Sequence, residues 1–213
     1  MAVRIDLNIS LDGVAMPANQ TADSPMGEHW GRLVSAYAAT RTFRERVLLD
    51  KSGDGTVGID DRYAAAYFEG IGAEIMGAGM FGFHAFPDDE EWRGWWGEEP
   101  PFHWPVIVLT HRKRPPLEFA NGTRFEFLPT SPLRALDRAR ELADGADLRI
   151  GGGAGIARQF LAAGLVDRLH VAIAPIVLGR GTHLWDGLLE FEQDYTVSSE
   201  VAESGVIHVT FAR

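Results

Sequence analysis

The residues able to do chemistry gather in a few short stretches. Gly151-Gly-Gly-Ala-Gly-Ile156 follows an apolar run and precedes a helical one. Glycines let a backbone approach an anion closely, and the first N–H groups of a helix point at it with the positive end of the helix dipole. The spacing is not that of the dinucleotide fingerprint G-x-G-x-x-G, because Ile156 stands where the last glycine belongs. The same glycines also suit a tight strand-to-helix connection, and the stretch alone admits both readings. Gly77-Ala-Gly-Met-Phe-Gly82 is a second glycine-rich turn. His111-Arg-Lys-Arg114 follows the apolar run Val106–Thr110. Basic residues at a strand end are what a ribose 2′-phosphate requires, and they are also the make-up of a solvated charge run.

The acids offer less. Asp12, in Ser10-Leu-Asp-Gly13, is a turn former, or a carboxylate that orients a polar substrate or relays a proton if burial raises its pKa. Glu28 and Asp186 are lesser candidates. In the stretch from Asp50 to Asp61, residues Asp50, Ser52, Asp54 and Gly55 fall at calcium-loop positions. Asp61 is short for the bidentate position and the loop stands alone, so a polar surface loop with Asp60 or Asp61 capping the next helix is the preferred reading. No G-x-S-x-G, H-E-x-x-H or Walker sequence occurs, the histidines are scattered, and cysteine is absent. This inventory suits hydride transfer, in which a nicotinamide does the difficult chemistry and the protein supplies position and shielding.

These residues sit in 213, enough for one domain with a full core, of which 46% are hydrophobic and 23% charged. A net charge of −10 argues against nucleic acid as a partner. No apolar run reaches the ~20 residues of a membrane span, and the amino terminus lacks a leader pattern; a cytoplasmic protein is expected.

Periodicity supplies the elements that must position the chemistry. Val3, Ile5, Leu7 and Ile9 alternate with polar residues as a first strand. Ser24 and Pro25 read as the start of a helix with Trp30, Leu33, Val34 and Tyr37 on one face, and Thr42–Leu49 as a second. Asp61 would cap a helix Arg62–Glu69. Strands are expected at Ala73–Met76, Val106–Thr110 and Phe125–Leu128, and a helix after Ser131-Pro132 with Leu133, Leu136 and Ala139 inward. Trp92, Trp95, Trp96 and Trp104 read mainly as packing for a long loop. A strand at 147–150, a glycine turn at 151–153 and a helix from about 155 to 163 follow. Next come a strand with Leu169, Val171 and Ile173 on one face, and a closing hairpin, Tyr195–Val201 with Val206–Phe211. The alternation predicts a single α/β domain over residues 1–213: three layers, α/β/α, around a mixed, mainly parallel sheet. Ligands bind at the carboxyl ends of such strands, which are Asp12, Gly77–Met80, Thr110–Arg112, Gly151–Ile156 and Pro175–Gly181.

The order strand, Gly151-Gly-Gly153, helix, Leu165-Val-Asp167, strand, Ala174-Pro175, Leu178-Gly-x-Gly181 resembles the dihydrofolate reductase-like superfamily. Within it the nearer branch is the C-terminal reductase domain of the bifunctional riboflavin-biosynthesis deaminase/reductase. The resemblance covers roughly 1–16 and 62–213. It implies that fold, NADPH as cofactor, a small pyrimidine- or pterin-like substrate and a homodimer. It places Gly77, Ala78, Gly79 and Met80, then Thr110, His111 and Arg112, then Gly151, Gly152, Gly153, Gly155 and Ile156 around the cofactor. Asp12 is placed beside nicotinamide and substrate, and a cis Gly-Gly bond is implied in the glycine turn. A β-branched residue at 152 would then occupy the phosphate position. Ala78 stands where the family carries an arginine. A nucleotide- or ligand-binding protein without turnover is therefore the alternative.

Overall fold

The computed structural model describes residues 1–21, 23–86 and 89–213. Its strands are β1 (Val3–Ser10), β2 (Val14–Pro17), β3 (Ile71–Gly77), β4 (Pro105–Leu109), β5 (Leu117–Glu118), β6 (Arg124–Leu128), β7 (Asp147–Gly152), β8 (Arg168–Ala174), β9 (Gly181–His183), β10 (Thr196–Val201) and β11 (Ile207–Ala212). The helices are α1 (Trp30–Leu33), α2 (Ser35–Ala39), α3 (Arg41–Arg46), α4 (Ile59–Ala66), α5 (Ala78–Phe81), α6 (Pro132–Leu142) and α7 (Ala154–Ala162). The main sheet has the order β10-β11-β8-β1-β7-β3-β4-β6-β5. Neighbours from β8 to β6 are parallel, while the β10–β11 hairpin and β5 add antiparallel edges. A small β2–β9 ladder stands beside it. This is the expected mixed, mainly parallel α/β sheet, and β1 has the predicted limits.

One face is aliphatic. Ile5, Ile75, Ile107, Leu148, Ile150, Leu169 and Val171 bury against Leu136 and Ala139 of α6 and Ala157 and Phe160 of α7. Strand side chains alternate between faces, so Val106 and Val108 point the other way, into an aromatic cluster with Phe81, Phe83, Phe102, Phe125 and Phe127. Next to that cluster, Tyr63 of α4 and Tyr67 lie over polar residues of β8 and β7.

The structure corrects several expected limits. No helix starts at Pro25: Gly27 N–H donates to Ser24 O at 3.0 Å in a turn, and α1 begins only after His29, whose φ is 66°. The predicted helix over Thr42–Leu49 is α3, capped by Thr40, whose Oγ1 accepts from Phe43 N at 3.1 Å. Asp61 caps nothing of its own; α4 begins at Ile59 behind Gly58, and the Asp61 carboxylate accepts from Thr42 N at 2.8 Å. Asp50 is paired with Arg44, so the carboxylates at both ends of the supposed calcium loop are turned to protein partners. Among the described residues no cluster of His, Asp and Glu is placed to hold a metal ion. Leu133 is 55% exposed, and Ala135 takes its place on the inner face of α6. No described helix is long and apolar enough to cross a membrane.

Candidate active site

Strands β1, β7, β3 and β4 are adjacent and parallel, so their carboxyl ends open on one edge. That edge gathers the loop of Asp12, the β7–α7 junction, the β3–α5 turn and the segment after β4.

The β7–α7 junction is shaped by a bulge. Pairing with β3 runs from Ile75↔Ile150 to Met76↔Gly152, leaving Gly151 as an extra residue. Such bulges re-aim the residues that follow them. The peptide bond Gly152–Gly153 is cis, and Gly152 has φ 114°. The predicted glycine turn is therefore partly strand. The glycines differ in what surrounds them. A Cβ on Gly151 would lie 1.9 Å from Glu74 Oε1, and one on Gly152 would face Leu7 Cδ2 at 3.5 Å. Around Gly153 and Gly155 the corresponding space is open. The open side therefore belongs to Gly153, and a side chain at Gly152 would turn inward to Leu7 instead of entering a phosphate position. Ile156 N and Ala157 N both donate to Gly153 O, at 3.0 and 3.1 Å. Among the described residues no protein acceptor meets the N–H groups of Ala154 and Gly155. An anion therefore fits at Gly153–Gly155, while Ile156 contributes packing.

The β3–α5 turn is more closed. A Cβ on Gly77 would lie 2.8 Å from Ile156 Cγ1, so this glycine admits the side chain of the neighbouring junction. Gly79 is nearly open, with His84 Nδ1 at 4.0 Å. The indoles of Trp92 and Trp95 donate to the carbonyls of Phe81 and Met80 at 2.9 Å each. These tryptophans pin the turn, which is the packing role expected of them. With Ala78 at its start, the turn presents no cationic side chain there.

After β4, Thr110 is buried and its Oγ1 accepts from Arg112 N at 3.1 Å. Arg112, Lys113 and Arg114 line a basin of about 550 Å³ together with Phe83, Asp89, Glu90 and Glu91. The guanidiniums of Arg112 and Arg114 lie 5.9 and 5.8 Å from the Phe83 ring. Arg114 also donates to the carbonyls of Glu90 and Trp92. His111 is exposed and lies outside the residues lining this basin. A phosphate here would meet acids on the facing wall as well as bases.

Asp12 is held by close donors at the end of β1. Its Oδ1 accepts from Ser10 Oγ at 2.5 Å and from Leu178 N at 3.1 Å, and its Oδ2 from Gly179 N at 2.7 Å. The Ser10 hydrogen bond, aided by those backbone donors, brings its pKa down to about 2. Burial pulls the other way but is outweighed, so Asp12 rests as a carboxylate that ties the end of β1 to the 178–179 loop. Of the lesser acids, Asp186 pairs with Arg158 at 3.2 Å, and Glu28 lines a small hollow with His29 and Arg180.

Sequence reasoning passed over a buried charged rung. His208, His170, Asp6, Arg149 and Glu74 lie on consecutive strands β11, β8, β1, β7 and β3. Arg149 Nη1 is 3.3 Å from Glu74 Oε2, and its Nε 3.9 Å from Asp6 Oδ2. Asp6 Oδ1 is 3.4 Å from His170 Nδ1, His170 Nε2 is 3.0 Å from His208 Nδ1, and His208 Nε2 is 2.8 Å from Asp60 Oδ1. Tyr63 stacks at 4.2 Å on both imidazoles, and Arg149 lies 5.3 Å from the Tyr67 ring. Burial would raise Asp6, but the contact with His170 and the charge of Arg149 outweigh it and hold the carboxyl below its ordinary range. Burial lifts Glu74, against the pull of Arg149. The sequence signal was the alternation itself: in a sheet covered on both faces, polar residues between apolar ones are buried too.

The parallel sheet with its hairpin edge and glycine junctions at the carboxyl ends defines a dihydrofolate reductase-like α/β protein. The chain belongs to the RibD C-terminal domain family, whose profile matches residues 1–206. Among solved structures, a protein of Shewanella sp. PV-4 assigned to riboflavin biosynthesis superposes with a TM-score of 0.60, at 20% identity, over 100% of this chain and 99% of its own. RibD of Acinetobacter baumannii gives 0.53 at 17% identity over 99% of this chain and 57% of its own. A diaminohydroxyphosphoribosylaminopyrimidine deaminase/5-amino-6-(5-phosphoribosylamino)uracil reductase of Thermotoga maritima gives 0.51 at 14% over 99% and 56%. At these identities the likeness establishes the fold. No curated protein matches the chain at a significant level.

Proposed function

We propose that this chain is an NADPH-dependent reductase acting on a small polar substrate of pyrimidine or pterin type. The observation that carries the reading is the junction at Gly153–Gly155, where among the described residues the N–H groups of Ala154 and Gly155 meet no protein acceptor and the Cβ sides of Gly153 and Gly155 are open. Family membership and the reductase activity named for the Thermotoga maritima protein support a reductase. The residues present fit the cofactor in part. Gly153, Ala154 and Gly155 would hold its diphosphate, Gly79 and Met80 would border it, and Arg112 with Lys113 would meet a 2′-phosphate. Ala78 removes one charge-assisted contact. Bound there, the nicotinamide would supply the hydride. Asp12, as a carboxylate, would hold the loop over the site and could accept a hydrogen bond from the substrate. The proposal extends to residues 1–213 acting as one unit, as a cytoplasmic homodimer.

Gly153→Ala tests this directly. Its Cβ enters open space at an ordinary negative φ of −78°, so stability should hold. NADPH affinity should fall about tenfold or more, the scale of a lost hydrogen bond to a charged group. Arg112→Ala should weaken NADPH by a similar about 1.5–3 kcal/mol and leave NADH unchanged. If both variants titrate like the parent, the site is misplaced. The alternative, nucleotide binding without turnover, is favoured by Ala78; steady oxidation of NADPH with a substrate separates the two.

A further inference from the structure

The charged rung ends beneath the glycine junction. Glu74 is fully buried and one side of its carboxyl is held by Arg149. The Trp104 indole also bears on the carboxyl and draws its pKa down, but Oε1 makes no hydrogen bond of ordinary geometry and lies 1.9 Å from where a Cβ of Gly151 would be. Gly151 is the bulge residue, and the open cradle at Gly153–Gly155 begins two residues after it. A buried ion pair of this kind gives weak stabilisation compared with apolar residues of equal volume. Its placement against the bulge points to shape as its use.

We infer that Glu74 is a positioning residue for the nucleotide cradle: its carboxyl, clamped by Arg149, fills the Cβ side of Gly151 and fixes the bulge that aims Gly153–Gly155 outward. The inference rests on the cofactor reading above for its ligand, but not for its geometry. Glu74 touches no reacting atom; it acts through the backbone of β7. An ordinary ion pair would depend on the charge of residue 74. A positioning wedge depends on its length and flat end.

Three variants separate these roles. Glu74→Gln keeps the shape and loses the charge; Glu74→Asp keeps the charge and withdraws by one methylene; Glu74→Ala empties the space. Each is checked for folding by circular dichroism, then assayed without ligand by hydrogen exchange at the amides of Ile156 and Ala157, which bond to Gly153 O. Each is also titrated with NADPH. Glu74→Asp and Glu74→Ala should exchange faster at these amides and bind NADPH about tenfold more weakly, the loss of one well-aimed charge-assisted contact. Glu74→Gln should resemble the parent in both. Parent-like behaviour of Glu74→Asp together with impaired Glu74→Gln would overturn the inference in favour of a charge role. A parent protein that does not bind NADPH, with the exchange pattern as expected, would remove the cofactor reading and leave the wedge standing.

Discussion

The two faces of the central sheet are buried by different means. Against α6 and α7 the strands present Ile, Leu and Val, and Phe160 has no exposed surface. On the opposite face of the same strands run Asp6, Arg149, Glu74 and His170, each also buried. Both faces exclude water, but the aliphatic one gains from each buried group directly. The charged one must first recover a desolvation cost through its contacts. What the difference teaches is that the aliphatic face secures the fold and the charged face fixes geometry, with one of its ends under the cradle and the other at α4.

The largest test sets one substitution on each face. Phe160→Ala should cost about 3–5 kcal/mol through lost burial and the cavity left behind. Arg149→Met should cost a similar about 3–5 kcal/mol, because it leaves Glu74 buried without its cation and removes one of the charges that hold Asp6. The pH dependence separates them. Without Arg149 the Glu74 carboxyl is pushed further above its unfolded value, so the folded variant takes up its proton at higher pH, and the deficit should shrink as pH falls towards the ordinary carboxylate range. The Phe160→Ala deficit should stay flat. Denaturant midpoints across that range decide it; a flat Arg149→Met deficit would mean the rung carries no uncompensated charge.

This contrast also measures how much the sequence disclosed. The aliphatic face was legible, because alternation in Val3–Ser10 and the apolar run Val106–Thr110 state a buried strand outright. The same alternation hid the charged face, since Asp6 and Arg149 read as the solvent side of each strand until a second layer is known to cover them. Elements whose limits rest on tertiary contact were misread: Pro25 opens a turn, and Leu133 faces out. At the site, the sequence pointed to the glycine clusters and the basic segment. It could not say which glycine is open and which is filled, because that depends on Glu74, Leu7 and Ile156 reaching across from other segments. Nor could it foresee that Ser10 and two backbone N–H groups hold Asp12 ionised.

A smaller effect is expected at the rim of the aliphatic face. Gly77→Ala would place a Cβ 2.8 Å from Ile156 Cγ1 and press the β3–α5 turn against α7. Overpacking of this kind costs about 1–3 kcal/mol. Paired with Gly153→Ala, it sorts the two glycine junctions: the first should lower the thermal midpoint, the second should leave it in place. Equal midpoints for both variants would mean that the turn at Gly77 yields freely.

The smallest effect lies at the far end of the rung and depends on proton count. Between Asp6 and Asp60 there are three contacts, through His170 and His208. Burial holds His208 below its ordinary 6.5, and the charge of His170 adds to this, against the pull of the Asp60 hydrogen bond. The sign follows from linkage. The unfolded chain binds a proton at His208 near 6.5 and the folded chain does so only at lower pH. The contribution of neutral His208 is therefore complete above 6.5 and is lost as pH falls through that value towards the folded one. One proton limits the slope to about 1.4 kcal/mol per pH unit. His208→Gln keeps a group able to bond Asp60 but cannot titrate, so its stability should fall less steeply on acidification just below 6.5 than that of the parent. Parallel stability curves for parent and variant through that window would show that His208 takes up its proton equally in the folded and unfolded chain.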